Sequence, residues 1–134
     1  NVVEKESSKL SILTNCFFET KKIIEIQKNA FLPPPRVTSS IIKLTPIKSE
    51  NLLNNLNMFI FRELFFYNEK KIKNVLIEAF IRYEKLKNCN FTKNESRQII
   101  SGLNISDDIL NKTIDSCNNK DIIILEKAFN RIEI

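Results

Sequence analysis

The 134-residue chain contains no histidine and a single glycine, Gly102. Without an imidazole, Ser-His and Cys-His nucleophile pairs, histidine general bases and histidine-containing metal sites are all excluded. With one glycine the chain cannot build a glycine-rich phosphate or dinucleotide loop, because such loops need several residues without a Cβ. The three cysteines, Cys16, Cys89 and Cys117, lie far apart and form no Cys-x-x-Cys pair. An odd, scattered set reads as reduced intracellular thiols rather than as a disulfide framework or a zinc site. No apolar run approaches the ~20 residues that a membrane span needs, and no internal repeat stands out. The first residue is Asn1 rather than Met, followed by the polar run Glu4-Lys5-Glu6-Ser7-Ser8. That start reads as neither a signal peptide nor a translation start, so the expectation is a chain that begins in mid-protein.

What the chain has in excess is positive charge, 21 Lys+Arg against 16 Asp+Glu for a net charge of +5. Such an excess favours a polyanionic partner. The abundance of Lys, Asn and Ile is also what an A/T-rich coding sequence produces, so codon bias is the competing explanation. With 43% hydrophobic residues the chain can bury the core of one domain, or of one small domain plus part of another.

The most unusual stretch runs from Phe31 to Pro46. Its three consecutive prolines, Pro33 to Pro35, fix three φ angles and remove three backbone donors, which predicts a stiff, polyproline-like connection. Val37 to Thr45 is β-branched and largely apolar and reads as a strand closed by Pro46, while Ile23, Ile24 and Ile26 mark a second strand over Lys21 to Gln27. A two-stranded unit of this kind is marginal in water and leaves strand edges unpaired. The expectation is therefore that it forms the end of a larger sheet.

On either side of this unit the pattern is helical. Lys9 to Glu19 predicts a helix with Leu10, Leu13 and Phe17 on one side, joined by Ile12 and Cys16. After Pro46 a helix is expected from Ser49 and Glu50, with Leu52, Leu53, Leu56, Phe59, Ile60, Leu64 and Phe65 as its stripe. Tyr67-Asn68 breaks the pattern. Lys70 to Lys87 resumes it with Ile72, Val75, Leu76, Ala79, Phe80, Tyr83 and Leu86. Thr92 and Glu95 form a capping box for a helix stopping near Gly102, read as its C′ residue. Ser106 opens another short helix, with Ile109, Leu110, Thr113 and Ile114 inward. Asp121 to Arg131 contains Ile122-Ile123-Ile124, which suits a strand or a helix; Leu125, Phe129 and Ile132 favour the helix. The chain thus divides near Pro46 into a β-containing edge and a helical module.

Three blocks in order resemble the KsgA/Dim-type ribosomal RNA adenine dimethyltransferases. Phe31-x-Pro33-Pro34-Pro35-Arg36-Val37-x-Ser39 is similar to the family's F-x-P-P-P-[KR]-V-x-S, and Ile41-Ile42-Lys43-Leu44 to the V-V-[RK]-L strand that follows it. Leu10-Ser11-Ile12 stands where the family has L-S-V. Phe65 or Phe66 followed by Lys70-Lys71-Ile72-Lys73-Asn74-x-Leu76 resembles F-x-x-[RK]-[RK]-K-x-[RK]-N-x-L. The resemblance covers roughly residues 8 to 80. Ser7-Ser8, Thr38 and Glu69 depart from the family pattern.

The resemblance implies an α/β fragment plus an all-α part. Residues 1–46 would be the terminal helix and β-hairpin of a Rossmann-like methyltransferase sheet, and residues 47–134 a small helical C-terminal domain. It implies an S-adenosylmethionine-dependent parent enzyme that dimethylates two adjacent adenosines near the 3′ end of small-subunit rRNA, in the cytoplasm or, for a eukaryotic paralogue, in an organelle. The family's cofactor loop and N-L-P-[YF] element lie upstream, so this chain alone is not expected to bind cofactor or to catalyse. Phe31, with Pro33 and Pro34 setting its angle, would wall the pocket for the flipped target base. Arg36, Lys70, Lys71 and Lys73 would contact RNA. The lysines fall at a helix start, where the macrodipole disfavours cations, which suits selection for phosphate contact; a solvated face inflated by codon bias is the alternative. Arg82, Lys85 and Lys87 are weaker candidates. The partner implied is the small ribosomal subunit or its rRNA, with no membrane and no metal. An exposed strand edge would allow self-association. A non-catalytic RNA- or protein-binding module, or a transcription-factor paralogue, remains the rival reading.

Overall fold

A computed structural model describes residues 8–133. The first helix, α1 (Lys9–Phe17), starts from a capping box in which the Ser11 N–H donates to Ser8 Oγ and the Ser8 N–H to Ser11 Oγ. Its buried side is Ser11, Asn15 and Cys16, with Ile12 and Phe17 packed against the same core. The expected stripe is thus only partly the buried one: Leu10 remains 64% exposed and Leu13 36%. A nine-residue helix with apolar residues on two sides, packed on one side only, leaves the other uncovered. Lys9 ties α1 to the far end of the chain, its Nζ donating to the carbonyls of Asp115 at 2.7 Å and Cys117 at 3.2 Å.

No residue separates α1 from β1 (Phe18–Ile26), which pairs antiparallel with β2 (Ser39–Pro46). β2 begins two residues later than its sequence pattern predicts, at Ser39 opposite Ile26, leaving Val37 in the connection. The Leu32–Pro33 peptide is cis. An irregularity between Lys22 and Ile24 takes Ile23 out of the pairing. By alternation this places Leu44 and Ile42 on one face of the ribbon with Phe18, and Ile41 on the other with Ile24 and Ile26. Both faces are therefore apolar and exposed, with Ile23 and Ile24 each at 55%.

The two ends of the ribbon are clasped where it meets the helices. The Ile47 N–H donates to the Phe17 carbonyl at 2.8 Å. Arg62 Nη1 donates to the Ile47 carbonyl, and its guanidinium lies 5.2 Å from the centre of the Phe17 ring.

The helix expected from Ser49 is instead a single 3₁₀ turn, Ser49–Leu52, and the α-helix restarts at α2 (Leu56–Phe66), where Asn55 Oδ1 accepts from the Met58 N–H. Of the expected stripe, Leu52, Phe59, Ile60, Leu64 and Phe65 are buried, while Leu53 and Leu56 are partly buried against the core. Phe61 is buried as well, meeting Phe129 edge-on at 5.1 Å. α3 (Ile72–Leu86) buries Ile72, Val75, Leu76, Ala79, Phe80 and Tyr83, while Leu86, also expected on that face, is 36% exposed at the helix end.

α4 (Lys93–Gly102) opens with the Thr92–Glu95 capping box. Its end corrects one expectation: Gly102 is helical, and the left-handed residue is Asn104 at φ 55°. An asparagine tolerates that conformation better than most side chains, so the glycine is not needed for the stop. α5 (Asp107–Leu110) is capped by Ser106. α6 (Asn119–Asn130) is capped reciprocally by Asn118 and Asp121. Ile122, Leu125 and Phe129 are buried while Ile124 is exposed, the three-and-four spacing that resolves the triple isoleucine as helix. Asp121 also accepts from Lys112 Nζ at 2.9 Å, and this hydrogen bond holds its carboxyl below the usual range.

Two outcomes are expected. A Cβ added at Gly102 meets nothing within 4 Å. Gly102→Ala should therefore stabilise the chain by about 0.5–1 kcal/mol, read as a higher urea midpoint at unchanged m-value; a lower midpoint would mean that the position needs glycine after all. Among the thiols, burial pushes Cys16 up to about 12, against a smaller opposing pull from Arg62, and burial also raises Cys117, whereas Cys89 is exposed. A disulfide reagent should titrate Cys89 alone in the native chain and all three after denaturation.

Candidate nucleic-acid interface

Lys71 is the N-cap of α3 and offers no side-chain cap, so Lys70 precedes the helix and Lys73 sits in its first turn. All three lysines are exposed. The Lys71 backbone is held by a β-bridge to Thr113, and the Ile72 N–H donates to the Lys112 carbonyl at 2.8 Å. Three cations therefore stand at the positive end of a well-anchored helix, an arrangement that costs local stability and that a bound anion would relieve.

Lys70 does more than lie on the surface. Its Nζ is 4.8 Å from the centre of the Tyr67 ring, and the Arg82 guanidinium is also 4.8 Å from that centre. Tyr67 is the C-cap of α2, so the ring stands where α2 hands over to α3. From there a groove of about 610 Å³ runs between α3 and α4. Asn74, Glu78 and Arg82 follow one another at four-residue spacing along the α3 wall; Lys93 and Arg97, also four apart, form the α4 wall. The helices can approach because the side chain between them is small: Ser96 is fully buried and its Oγ donates to the Ile77 carbonyl at 3.2 Å.

The charge in the groove is partly cancelled. Arg82 pairs with Glu63 at 3.0 Å, and Lys93 with Glu78 at 3.7 Å. Lys70 and Arg97 have no acidic partner among the described residues; Arg97 Nη1 donates to Asn94 Oδ1 at 3.1 Å. An open groove with two uncompensated cations and one exposed ion pair, Lys93–Glu78, suits an extended anion whose charges are several ångströms apart. No group of three His, Cys, Asp or Glu side chains that could hold a metal occurs among the described residues, and none of their helices is long and apolar enough to cross a membrane.

The remaining candidates lie elsewhere. Phe31, Pro33, Pro34 and Arg36 are on the connection between β1 and β2, after a 3₁₀ turn at Lys28–Ala30. Phe31 is 41% exposed, and Pro33, Pro34 and Arg36 are exposed too. Arg36 thus lies on the same connection as Phe31 and away from α3 in the chain. Of the weaker candidates, Arg82 joins the groove, whereas Lys87 pairs with Glu84 and lies over Tyr83. Sequence reasoning missed Tyr67, Lys93 and Arg97. The four-residue spacing of Lys93 and Arg97 behind the Thr92 cap was a legible signal for one cationic face.

The profile of a family described as Ribosomal RNA adenine dimethylase matches residues 2–122. A Francisella tularensis protein named Ribosomal RNA small subunit methyltransferase A is 35% identical over 74 residues, covering 54% of this chain and 28% of the relative. A protein of the same name from Borrelia garinii subsp. bavariensis is 35% identical over 94 residues, covering 66% of this chain and 31% of its own length. The chain thus spans about 30% of the length of these curated relatives. Among solved structures, a dimethyladenosine transferase from Plasmodium falciparum aligns over 98% of this chain and 51% of that chain at 25% identity, with a TM-score of 0.35.

Releasing Lys93 tests the electrostatics of the groove. Glu78→Gln should tighten binding of a single-stranded polyanion severalfold at low salt and steepen the log–log salt dependence by about 0.7. An unchanged slope would mean that the groove is not where the polyanion lies.

Proposed function

The chain belongs to the ribosomal RNA adenine dimethylase family, and from that membership we propose that it is the C-terminal part of an S-adenosylmethionine-dependent enzyme that dimethylates two adjacent adenosines near the 3′ end of small-subunit rRNA. The match over residues 2–122 is the observation that carries this reading. On it, residues 1–46 end the catalytic domain and residues 47–134 form its helical companion. The ribbon supports this division: a sheet apolar on both faces is normally covered on both, as in α/β domains. Here Ile24 and Ile41 on one face and Ile42 and Leu44 on the other are all exposed. The rest of the catalytic domain would cover them.

On this reading the cofactor is held by the part of the enzyme outside these residues. The single glycine here is helical in α4 and the sheet among the described residues is an antiparallel pair, so these residues supply no glycine-rich phosphate loop. Phe31 is the contribution of this segment to the target site. A flat ring, half exposed on a connection stiffened by Pro33 and Pro34, is suited to stack against an adenine turned out of its helix. Arg36, on the same connection, would take a neighbouring phosphate. Lys70, Lys71 and Lys73 would hold the rRNA backbone at the mouth of the α3–α4 groove. In isolation, the unpaired outer edges of β1 and β2 would also favour self-association.

The experiment is binding of this chain to a small-subunit rRNA 3′-end hairpin across a salt series, with Lys70, Lys71 and Lys73 changed together to Ala in parallel. Binding should weaken steeply with salt, and the triple variant should lose about two units of log–log slope. Equal slopes in the two proteins would remove the lysines from the interface. No binding even at low salt would assign RNA recognition to the part of the enzyme outside this chain.

A further inference from the structure

Phe66 is the last residue of α2 and, unlike its neighbour Phe65, lies outside the core: it is 66% exposed where Phe65 is 9%. Its ring meets Tyr67 edge-on, with centroids 4.9 Å apart and planes at 76°. Tyr67 in turn carries Lys70 and Arg82. An exposed aromatic ring thus stands against Tyr67, the residue that lines the groove and carries its cations, and borders a small cleft of about 160 Å³ shared with Arg62 and Glu63. Among Arg62, Glu63, Lys70 and Arg82 only one charge is negative, so the surroundings of the ring favour an anionic ligand with a flat apolar part.

We propose that Phe66 is a stacking platform for an unpaired nucleobase of the RNA strand whose phosphates follow the groove. The inference rests on the backbone-binding reading above and assigns one residue of the helical part to contact with an unpaired base rather than with a continuous duplex. In a duplex both faces of each base are covered and the strand cannot present one to Phe66, whereas a loop or single strand can. Phosphate contacts at Lys70 and Arg97 would fix the strand, and the ring would hold one base without reading its identity, since every base has a π-face. Phe66 also explains why an aromatic residue tolerates this exposure at the edge of a cationic patch: covering it with a base removes apolar surface from water without burying a charge.

The sequence contains no tryptophan, so Phe66→Trp introduces a unique fluorophore at the proposed contact. The full 134-residue chain carrying it would be titrated with a single-stranded RNA and with a duplex of equal length, at several salt concentrations. Indole fluorescence should be quenched by the single strand and not by the duplex. In parallel, Phe66→Ala should weaken single-strand binding by about tenfold or more while leaving the salt slope unchanged. Salt-dependent binding without quenching, or an unaltered affinity in Phe66→Ala, would overturn the stacking site while leaving the backbone contacts standing. Equal quenching by the duplex would overturn the preference for unpaired bases. Absence of salt-dependent binding to either RNA would overturn the backbone reading, and this proposal with it.

Discussion

The fold depends on covering α2, a helix too apolar to tolerate water on more than a narrow side. Phe59, Ile60, Phe61, Leu64 and Phe65 are buried within a single eleven-residue helix. Burying side chains of this size is worth about 1.5–3 kcal/mol each, so a single partner helix would leave much of the available stabilisation unused. α1, α3 and α6 all pack on it. Phe59 meets Tyr83 of α3 at 5.2 Å, and Phe61 meets Phe129 of α6 at 5.1 Å. The same requirement draws α1 into the helical core through Cys16, although the ribbon separates α1 from the other helices in sequence. Because α2 ends in Phe66 and Tyr67, its burial also determines where those two rings emerge beside the lysines.

The groove and the ribbon represent two different uses of exposed side chains. At the groove, Arg82 and Lys93 pair with Glu63 of α2 and Glu78 of α3, which lowers the net charge. The exposed Lys93–Glu78 pair contributes little to stability, so contact with a phosphate could replace it at small cost, whereas the Arg82–Glu63 pair is more deeply set. In the ribbon, the exposed groups are isoleucines and leucines, and only burial against further structure would relieve them. A single unpaired residue, Ile23, changes the phase of β1 against β2 and distributes the apolar residues over both faces.

Much of this was legible from local patterns. The α3 stripe, the Thr92–Glu95 box and the helical Ile122, Leu125 and Phe129 all follow from three-and-four spacing and capping chemistry, which act over a few residues. What escaped the sequence depends on which side of an element meets its neighbour. α1 carries Leu10 and Leu13 on one side and Ile12 and Cys16 on another, and only the position of α2 decides between them. Phe61, left out of the expected α2 stripe, is buried because α6 packs on its side of the helix. Lys70 could be recognised as a misplaced cation, but its grouping with Arg97 required α4 to fold back along α3. Gly102 invited a left-handed reading that the chain meets two residues later, at Asn104.

The junction between the ribbon and the helices has a mechanical meaning. Phe17 ends α1 and Phe18 begins β1, with no residue between them to absorb a change in backbone angle. The returning strand is fastened at the same point, through Ile47 to Phe17 and Arg62 to Ile47. Tilting the ribbon against the bundle would have to break these bonds together, so the structure contains a lever rather than a hinge. The tip of the lever is the proline connection bearing Phe31, and its base is the helical core that bears the cationic groove. Whatever orients the groove therefore aims the tip.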